Sequence, residues 1–123
     1  MIHFDTNFLI YALRPGSPEE AKMRAWLAGA EVLRISSVAW AEFLCGPLTP
    51  KDALLAKQIF ADSEPLLTDD AVRAAELFNQ TGRRSRSLPD CMIAAVALRC
   101  GARLATNNLP DFQPFVPYGL LLA

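Results

Sequence analysis

Short apolar segments alternate with helical patterns along the whole chain, and this alternation constrains the fold more than any other feature. Such alternation indicates a parallel sheet with helices on both of its faces. We therefore predict an α/β fold with a central, mainly parallel sheet of about four to five strands. The last strand is expected at an edge, since its proline and glycine suit an edge. Strands are predicted at 1–4, 31–36, 65–68, 103–106 and 116–122, and helices at about 7–13, 18–28, 38–46, 50–62, 70–81 and 87–101.

The composition is that of a globular protein. The 123 residues are 52% hydrophobic and 20% charged, which predicts one domain over 1–123. No apolar run has the roughly 18–20 residues of a membrane helix, and the N-terminus lacks a signal-peptide pattern. Cys45, Cys91 and Cys100 have no CxxC spacing, which favours buried, reduced thiols and a cytoplasmic location. The net charge of −1 is mild evidence against nucleic-acid binding.

Asp5 stands between two apolar runs, MIHF and FLIYAL, where an ionised acid is costly unless it is paired, hydrogen-bonded or bound to a cation. It follows the first predicted strand directly. In open parallel sheets, sites form beyond the carboxyl ends of the strands, where the strand order reverses. We therefore expect a functional site, if the protein has one, to include Asp5.

Two further acids lie on apolar helical patterns. Glu42 has no polar residue three or four positions away on its predicted helix, so neither a solvated face nor a salt-bridge partner is apparent. Asp90 precedes the apolar run CMIAAVAL, which predicts a buried helix. Asp90 has an alternative explanation, because Ser87 and Asp90 have the spacing of a capping box.

The last acid of interest, Asp111, follows the strand predicted at 103–106 and alone would pass for a loop residue. If Asp5, Glu42, Asp90 and Asp111 converge, their charges repel. A hard divalent cation such as Mg²⁺ or Mn²⁺ resolves that conflict and suits phosphoryl chemistry. His3, the only histidine, lies within a strand and is a poor base or zinc ligand, and no P-loop or GxGxxG motif is present.

Four segments together resemble the PIN-domain ribonucleases, specifically the VapC-type toxins of bacterial toxin–antitoxin pairs. They occur in the family's order over nearly the whole chain: MIHFDTNFLI, ISSVAWAEFLCG, TGRRSRSLPDCMIAA and LATNNLPDF. The resemblance implies a single PIN-like domain of three layers. It also implies a Mg²⁺- or Mn²⁺-dependent endoribonuclease that forms a homodimer and is neutralised by a cognate antitoxin.

The resemblance assigns roles to individual residues. Asp5, Glu42 and Asp90 would be the acidic metal-site residues. Some members have an acid where this chain has Asn108, so Asp111 becomes the expected fourth carboxylate. Asn108 or Thr106 would then assist through water.

Other side chains would support the site. Thr6 and Asn7 would orient Asp5 or bound water, although capping of the following helix explains them nearly as well. Arg83, Arg84 and Arg86 could hold the RNA backbone, or could simply be a solvated loop.

Two alternative functions stay open. A phospho-acceptor receiver domain has a similar length, and Thr68-Asp69-Asp70 offers a superficial acceptor, but a lysine near the last strand is missing. A non-catalytic PIN-like binding module is the second alternative, against which the retained acids argue.

Overall fold

A computed structural model describes all residues, 1–123. Most of its elements up to residue 105 begin and end close to the predicted positions, with helix 50–62 ending earlier, at Ile59. The strands are β1 (Ile2–Phe4), β2 (Leu33–Ile35), β3 (Arg103–Ala105) and β4 (Leu121–Leu122). The helices are α1 (Thr6–Ala12), α2 (Pro18–Ala28), α3 (Ser37–Cys45), α4 (Pro50–Ile59), α5 (Thr68–Gln80), α6 (Leu88–Cys100) and α7 (Leu109–Phe112), followed by a 3₁₀ helix (Gln113–Tyr118).

The four strands form one parallel sheet in the order β2-β1-β3-β4. The predicted α/β class and parallel sheet are confirmed. The chain moves from β1 to β2 on one side and later returns to β3 on the other. The strand order therefore reverses at β1, so the carboxyl ends of β1 and β3 border the position where a site is expected.

Helices cover both faces of the sheet. On one face the buried Phe4 ring makes edge contacts with Phe8 of α1 and Trp26 of α2, with ring centroids 5.0 and 6.0 Å away. On the other face His3 is buried within the electrostatic reach of Arg34, Glu64 and Arg99. This gives the three-layer arrangement expected of alternating strands and helices.

The strand predicted at 65–68 is wrong. Only one parallel bridge forms, between Ser36 and Glu64, and the ladder stops at the next residue. Pro65 has no N–H to continue it, and its carbonyl accepts a hydrogen bond from Arg99 instead (2.9 Å). Helix α5 then begins at Thr68.

The strand predicted at 116–122 is confirmed only at its end. Residues 113–118 form a 3₁₀ helix, which contains Pro117. Gly119 then adopts a φ of +106°, a conformation that glycine accepts without strain, and redirects the chain into β4 at the sheet edge. Helix α7 was not anticipated.

The cysteines are all free thiols. Cys91 is buried and Cys100 partly buried, but Cys45 is exposed, so the expectation of buried thiols is wrong at Cys45. Among the helices, none combines the length and the apolar character needed to cross a membrane.

Replacing Phe4 by alanine tests how far the core depends on the ring that leads into Asp5. Phe4 is fully buried and also contacts Phe60, 5.4 Å between centroids. Phe4→Ala is expected to lower the free energy of unfolding by about 3–5 kcal/mol, because it removes aromatic contacts and leaves a cavity. Urea denaturation measures this change. Val72→Ala, at an exposed apolar position, is the control, and a Phe4→Ala loss as small as the control's would contradict this account of the core.

Candidate active site

Asp5 joins the first strand, the first helix and the third strand. Its backbone N–H donates to the Ala105 carbonyl at the end of β3 (3.0 Å). Its side chain is the N-cap of α1, where Oδ1 accepts from the Phe8 N–H (2.7 Å). Oδ2 accepts a hydrogen bond from the Thr106 hydroxyl. The acid that the sequence leaves between apolar runs is therefore held by neutral donors.

Burial and neighbouring charges oppose ionisation of Asp5. Asp5 is only 2% exposed, and this burial raises the pKa of its carboxyl group. The hydrogen bonds from Thr106 and Phe8 lower the pKa in part, while the charges of Glu42 and Asp111 raise it further. Carboxylates on two other helices therefore add to the effect of burial on Asp5.

Glu42 lies on α3 and is exposed, contrary to the expectation that its helix has no solvated face. The apolar side chains of Leu44 and Cys45 share that exposure. Its hydrogen-bond partner comes from outside the local sequence, since the Thr6 hydroxyl donates to Glu42 Oε1 (2.9 Å). Thr6 therefore orients Glu42, and the cap of α1 is Asp5 itself.

Asp90 lies in the first turn of α6, and the predicted capping box does not form. The Ser87 side chain makes no cap hydrogen bond to this helix and donates instead to the Arg84 carbonyl (2.8 Å). No hydrogen bond contributes to the pKa of the Asp90 carboxyl, which is raised to about 6, first by burial. Asp111, Glu42 and Asp5 add repulsion, and Arg84 opposes it.

The acids border one cleft of about 290 Å³. It opens beyond the carboxyl ends of β1 and β3, the position that the strand order indicates. Three of the predicted acids line the cleft beside amide and hydroxyl groups. Two isoleucines, which the sequence did not indicate, complete the lining. The lining residues are Asp5, Thr6, Asn7, Ile10, Glu42, Asp90, Ile93 and Asn108.

The structure separates the two candidates for the fourth position. Asn108 lines the cleft, whereas Asp111 is exposed on α7 and does not. The charge of Asp111 nevertheless acts on both Asp5 and Asp90. Thr106 connects the two sides, because its hydroxyl donates to Asp5 and accepts from the Asn108 N–H (2.9 Å).

The three predicted RNA-binding arginines have different surroundings. Arg83 bonds to Asn79 and lies over the Phe78 ring, 5.2 Å from its centroid. Arg84 bonds to the Asp111 carbonyl (3.1 Å) near the acids. Arg86 is exposed and makes no side-chain hydrogen bond or ion pair, so it alone is a free cation. Arg83 and Arg86 both adopt positive φ angles, 53° and 65°.

The chemistry of the cleft fits a hard divalent cation. Its ionisable donors are carboxylates, and their mutual repulsion adds to burial in raising the pKa of Asp90. No three acidic, cysteine or histidine side chains already form a coordinating set. Mg²⁺ does not need one, because it usually keeps several waters and takes one or two carboxylates from the protein. The residues present therefore suit such an ion.

The comparisons with known proteins identify the family. The PIN-domain family model matches residues 2–110, nearly the whole chain. The chain belongs to the PIN-domain family. The resemblance to the PIN-domain family that was drawn from the four sequence segments is thereby confirmed. No curated protein matches the chain.

Solved PIN-fold structures from toxin–antitoxin systems share the architecture. VapBC2 of Rickettsia felis, bound to a promoter DNA fragment, matches with a TM-score of 0.77 and 20% identity over 100% of this chain and 98% of that one. A toxin–antitoxin complex from Klebsiella pneumoniae gives 0.70 and 29% over 91% and 90%. VapC20 of Mycobacterium tuberculosis, a toxin that cleaves the sarcin–ricin loop, gives 0.70 and 16% over 100% and 98%.

The raised pKa of Asp90 predicts a stability that falls with rising pH. The folded protein holds this proton more tightly than the unfolded chain, since the pKa rises from 3.8 to about 6. The stabilisation is therefore complete below about pH 4 and is lost as the pH rises through about 6.

Asp90→Asn mimics the protonated acid and isolates this effect. After a discount for solvent screening, the variant should be more stable than the parent by about 1–2 kcal/mol at about pH 7.5 and equally stable near pH 4. Urea denaturation with a chelator present measures both values. Asp62→Asn, at an exposed aspartate, should change neither, and a pH-independent effect of Asp90→Asn would refute the assigned cause.

Proposed function

We propose that this PIN-domain protein is a Mg²⁺- or Mn²⁺-dependent endoribonuclease that acts as the toxin of a toxin–antitoxin pair. One observation carries the proposal. Asp5, Glu42 and Asp90 come from three separate elements and border a single cleft at the sheet's carboxyl edge. The stability of the fold does not explain three acids at this cleft, because their mutual repulsion destabilises the folded state.

The side chains of the cleft would divide the work of binding and orientation. Asp5, Glu42 and Asp90, with Asp111 or Asn108 in the fourth position, would hold the cation. When bound, the cation supplies a nucleophile by lowering the pKa of water and neutralises charge on the phosphodiester.

Neutral donors keep two of these acids in place. Thr106 and the Phe8 N–H fix Asp5 and favour its ionised form, and the Thr6 hydroxyl orients Glu42. Asn7 lines the cleft and could contact water or substrate.

RNA would approach a protein with a formal net charge of −1, so local cations matter. Arg86 is exposed and free to contact a phosphate, and its loop also carries Arg83 and Arg84. Arginine suits this role because its planar guanidinium pairs with phosphate oxygens through two N–H groups. Arg83 already donates a hydrogen bond to Asn79, so it would contribute its positive charge rather than a pair of free N–H donors.

The partners are inferred from the similar structures. Those proteins include toxin–antitoxin complexes from Rickettsia felis and Klebsiella pneumoniae, which supports a cognate antitoxin for this chain. We also propose a homodimer, which is what the resemblance of the sequence to the VapC-type toxins implies. The three free thiols suit a cytoplasmic site of action, where cysteines stay reduced.

The receiver-domain alternative loses its acceptor site. Thr68 and Asp69 belong to the first turn of α5 rather than to the end of a strand. Asp70 is buried and bonded through both carboxylate oxygens to Arg99 (3.0 and 2.9 Å). A non-catalytic PIN-like module is the alternative that experiment must separate from the nuclease.

Asparagine at two of the acidic positions tests catalysis. Asp5→Asn and Asp90→Asn should each lower Mn²⁺-dependent RNA cleavage by about a hundredfold or more, because each removes a charged ligand. Both should abolish growth inhibition when the chain is expressed alone. Asn at position 5 can still accept the Phe8 N–H, so the helix cap survives. Asp62→Asn is the exposed control, and full Mn²⁺-dependent activity in both site variants would refute the assignment.

Binding of the metal can be measured without any substrate. Mn²⁺ at about 100 times its Kd should stabilise the parent protein by about 2.7 kcal/mol in thermal or urea unfolding, because it binds only the folded state. Asp5→Asn should remove most of this gain, and Asp62→Asn none of it. A parent protein that Mn²⁺ does not stabilise would favour the binding-module alternative.

A further inference from the structure

Arg84 is bonded to both elements that flank the entrance of the cleft. Its backbone carbonyl accepts from the N–H and the hydroxyl of Ser87 (3.2 and 2.8 Å), immediately before α6. Its guanidinium Nη2 donates to the Asp111 carbonyl on α7 (3.1 Å). One residue thus links the helix that carries Asp90 to the segment that carries Asp111.

The guanidinium of Arg84 is held in place rather than free in solvent. It lies over the Phe115 ring, 5.9 Å from the centroid, and its Nε is buried. Its charge acts on the Asp90 carboxylate. Arg86, two residues later in the same loop, has none of these contacts and is exposed. A side chain that contacts RNA is expected to be exposed and unpaired, as Arg86 is.

We infer that Arg84 is a positioning residue that fixes α7, with Asn108 and Asp111, against the start of α6 and so sets the geometry of the acidic cleft. The inference rests on the proposed function for its consequence, metal binding, and on the contacts alone for its mechanical part. Arginine suits the task because a planar guanidinium can bond to a carbonyl and pack on a ring at the same time.

The far end of the same segment has a separate anchor. Arg73 Nη2 donates to the Tyr118 carbonyl at the end of the 3₁₀ helix (3.1 Å). Loss of the Arg84 contact should therefore loosen the end of the segment nearest the cleft and leave the Tyr118 end in place. This local pattern distinguishes positioning from general destabilisation.

Amide hydrogen exchange of the metal-free protein tests the mechanical part. Arg84→Met keeps an unbranched apolar side chain but removes the charge and the donors. The amides of Asp111 and Phe112, which donate to the Asn108 carbonyl (3.0 and 3.3 Å), should exchange about fivefold faster, as expected for the loss of one hydrogen bond. Arg86→Met, the matched control, should exchange like the parent. Unchanged exchange in Arg84→Met would overturn the inference.

Calorimetric Mn²⁺ binding tests the consequence, and its direction is diagnostic. Arg84→Met removes a positive charge that repels the cation, so a purely electrostatic role predicts tighter binding. Positioning predicts weaker binding, by about tenfold, as for other residues that orient metal ligands. Arg86→Met should have the parent's affinity. Tighter or unchanged Mn²⁺ binding in Arg84→Met overturns the inference.

Cleavage kinetics separate positioning from contact with RNA. Arg84→Met should lower kcat with little change in KM, whereas a rise in KM alone would make Arg84 an RNA contact and overturn the inference. Arg84→Lys keeps the charge but lacks the planar guanidinium that bonds to the Asp111 carbonyl and packs on the Phe115 ring, so it should recover only part of the Mn²⁺ affinity; full recovery would show that these guanidinium contacts do not set the geometry of the cleft and would also overturn the inference. If the parent binds no Mn²⁺, the proposed function fails, and hydrogen exchange alone decides the mechanical part.

Discussion

The carboxylate of Asp5 is the point on which both the fold and the cleft depend. It ends β1, caps α1 through the Phe8 N–H and accepts a hydrogen bond from Thr106 beyond β3. The strand order reverses at β1, and these hydrogen bonds tie the end of β1 to α1 and to the residue after β3 at that position. A side chain that accepts both hydrogen bonds must be short and carry acceptor oxygens. A carboxylate meets this requirement and, when ionised, also brings negative charge to the cleft.

Two equally buried aspartates show how differently the chain treats its acids. Asp5 and Asp70 are each only 2% exposed. Asp70 is neutralised by Arg99 through both carboxylate oxygens, which is the usual way to bury a charge. Asp5 receives only neutral donors, and other carboxylates lie near it. Of these two buried carboxylates, only the one that borders the cleft lacks a cationic partner.

The sequence patterns that predicted best were those decided by local chemistry. The apolar strand before Asp5, the buried helix after Asp90 and the alternation that implies a parallel sheet all depend on neighbours in the chain. Of the four acids expected to converge, Asp5, Glu42 and Asp90 line one cleft, and Asp111 does not. The three-layer fold needed no contact between distant residues to be recognised.

The features that were missed depend on contacts between distant residues. Glu42 is oriented by Thr6, 36 positions away, and Asp90 lacks the local cap that its spacing to Ser87 predicts. The segment at 65–68 has strand-like residues, but Pro65 gives its carbonyl to Arg99 instead of joining the sheet. Helix-face arguments also misjudged Glu42, since α3 leaves Leu44 and Cys45 exposed. No pattern within a short window contains that information.

The neutral donors around the acids have a chemical consequence. Thr6 and Thr106 orient Glu42 and Asp5 through hydroxyl groups. An arginine or lysine in either place would hold the carboxylate as firmly but would also neutralise it, and the attraction for a cation would fall. Hydroxyl donors fix direction without removing charge, so these acids can be preorganised and still available. Within this arrangement the one nearby cation, Arg84, bonds to the backbone carbonyl of Asp111 rather than to a carboxylate, which keeps the acidic oxygens free.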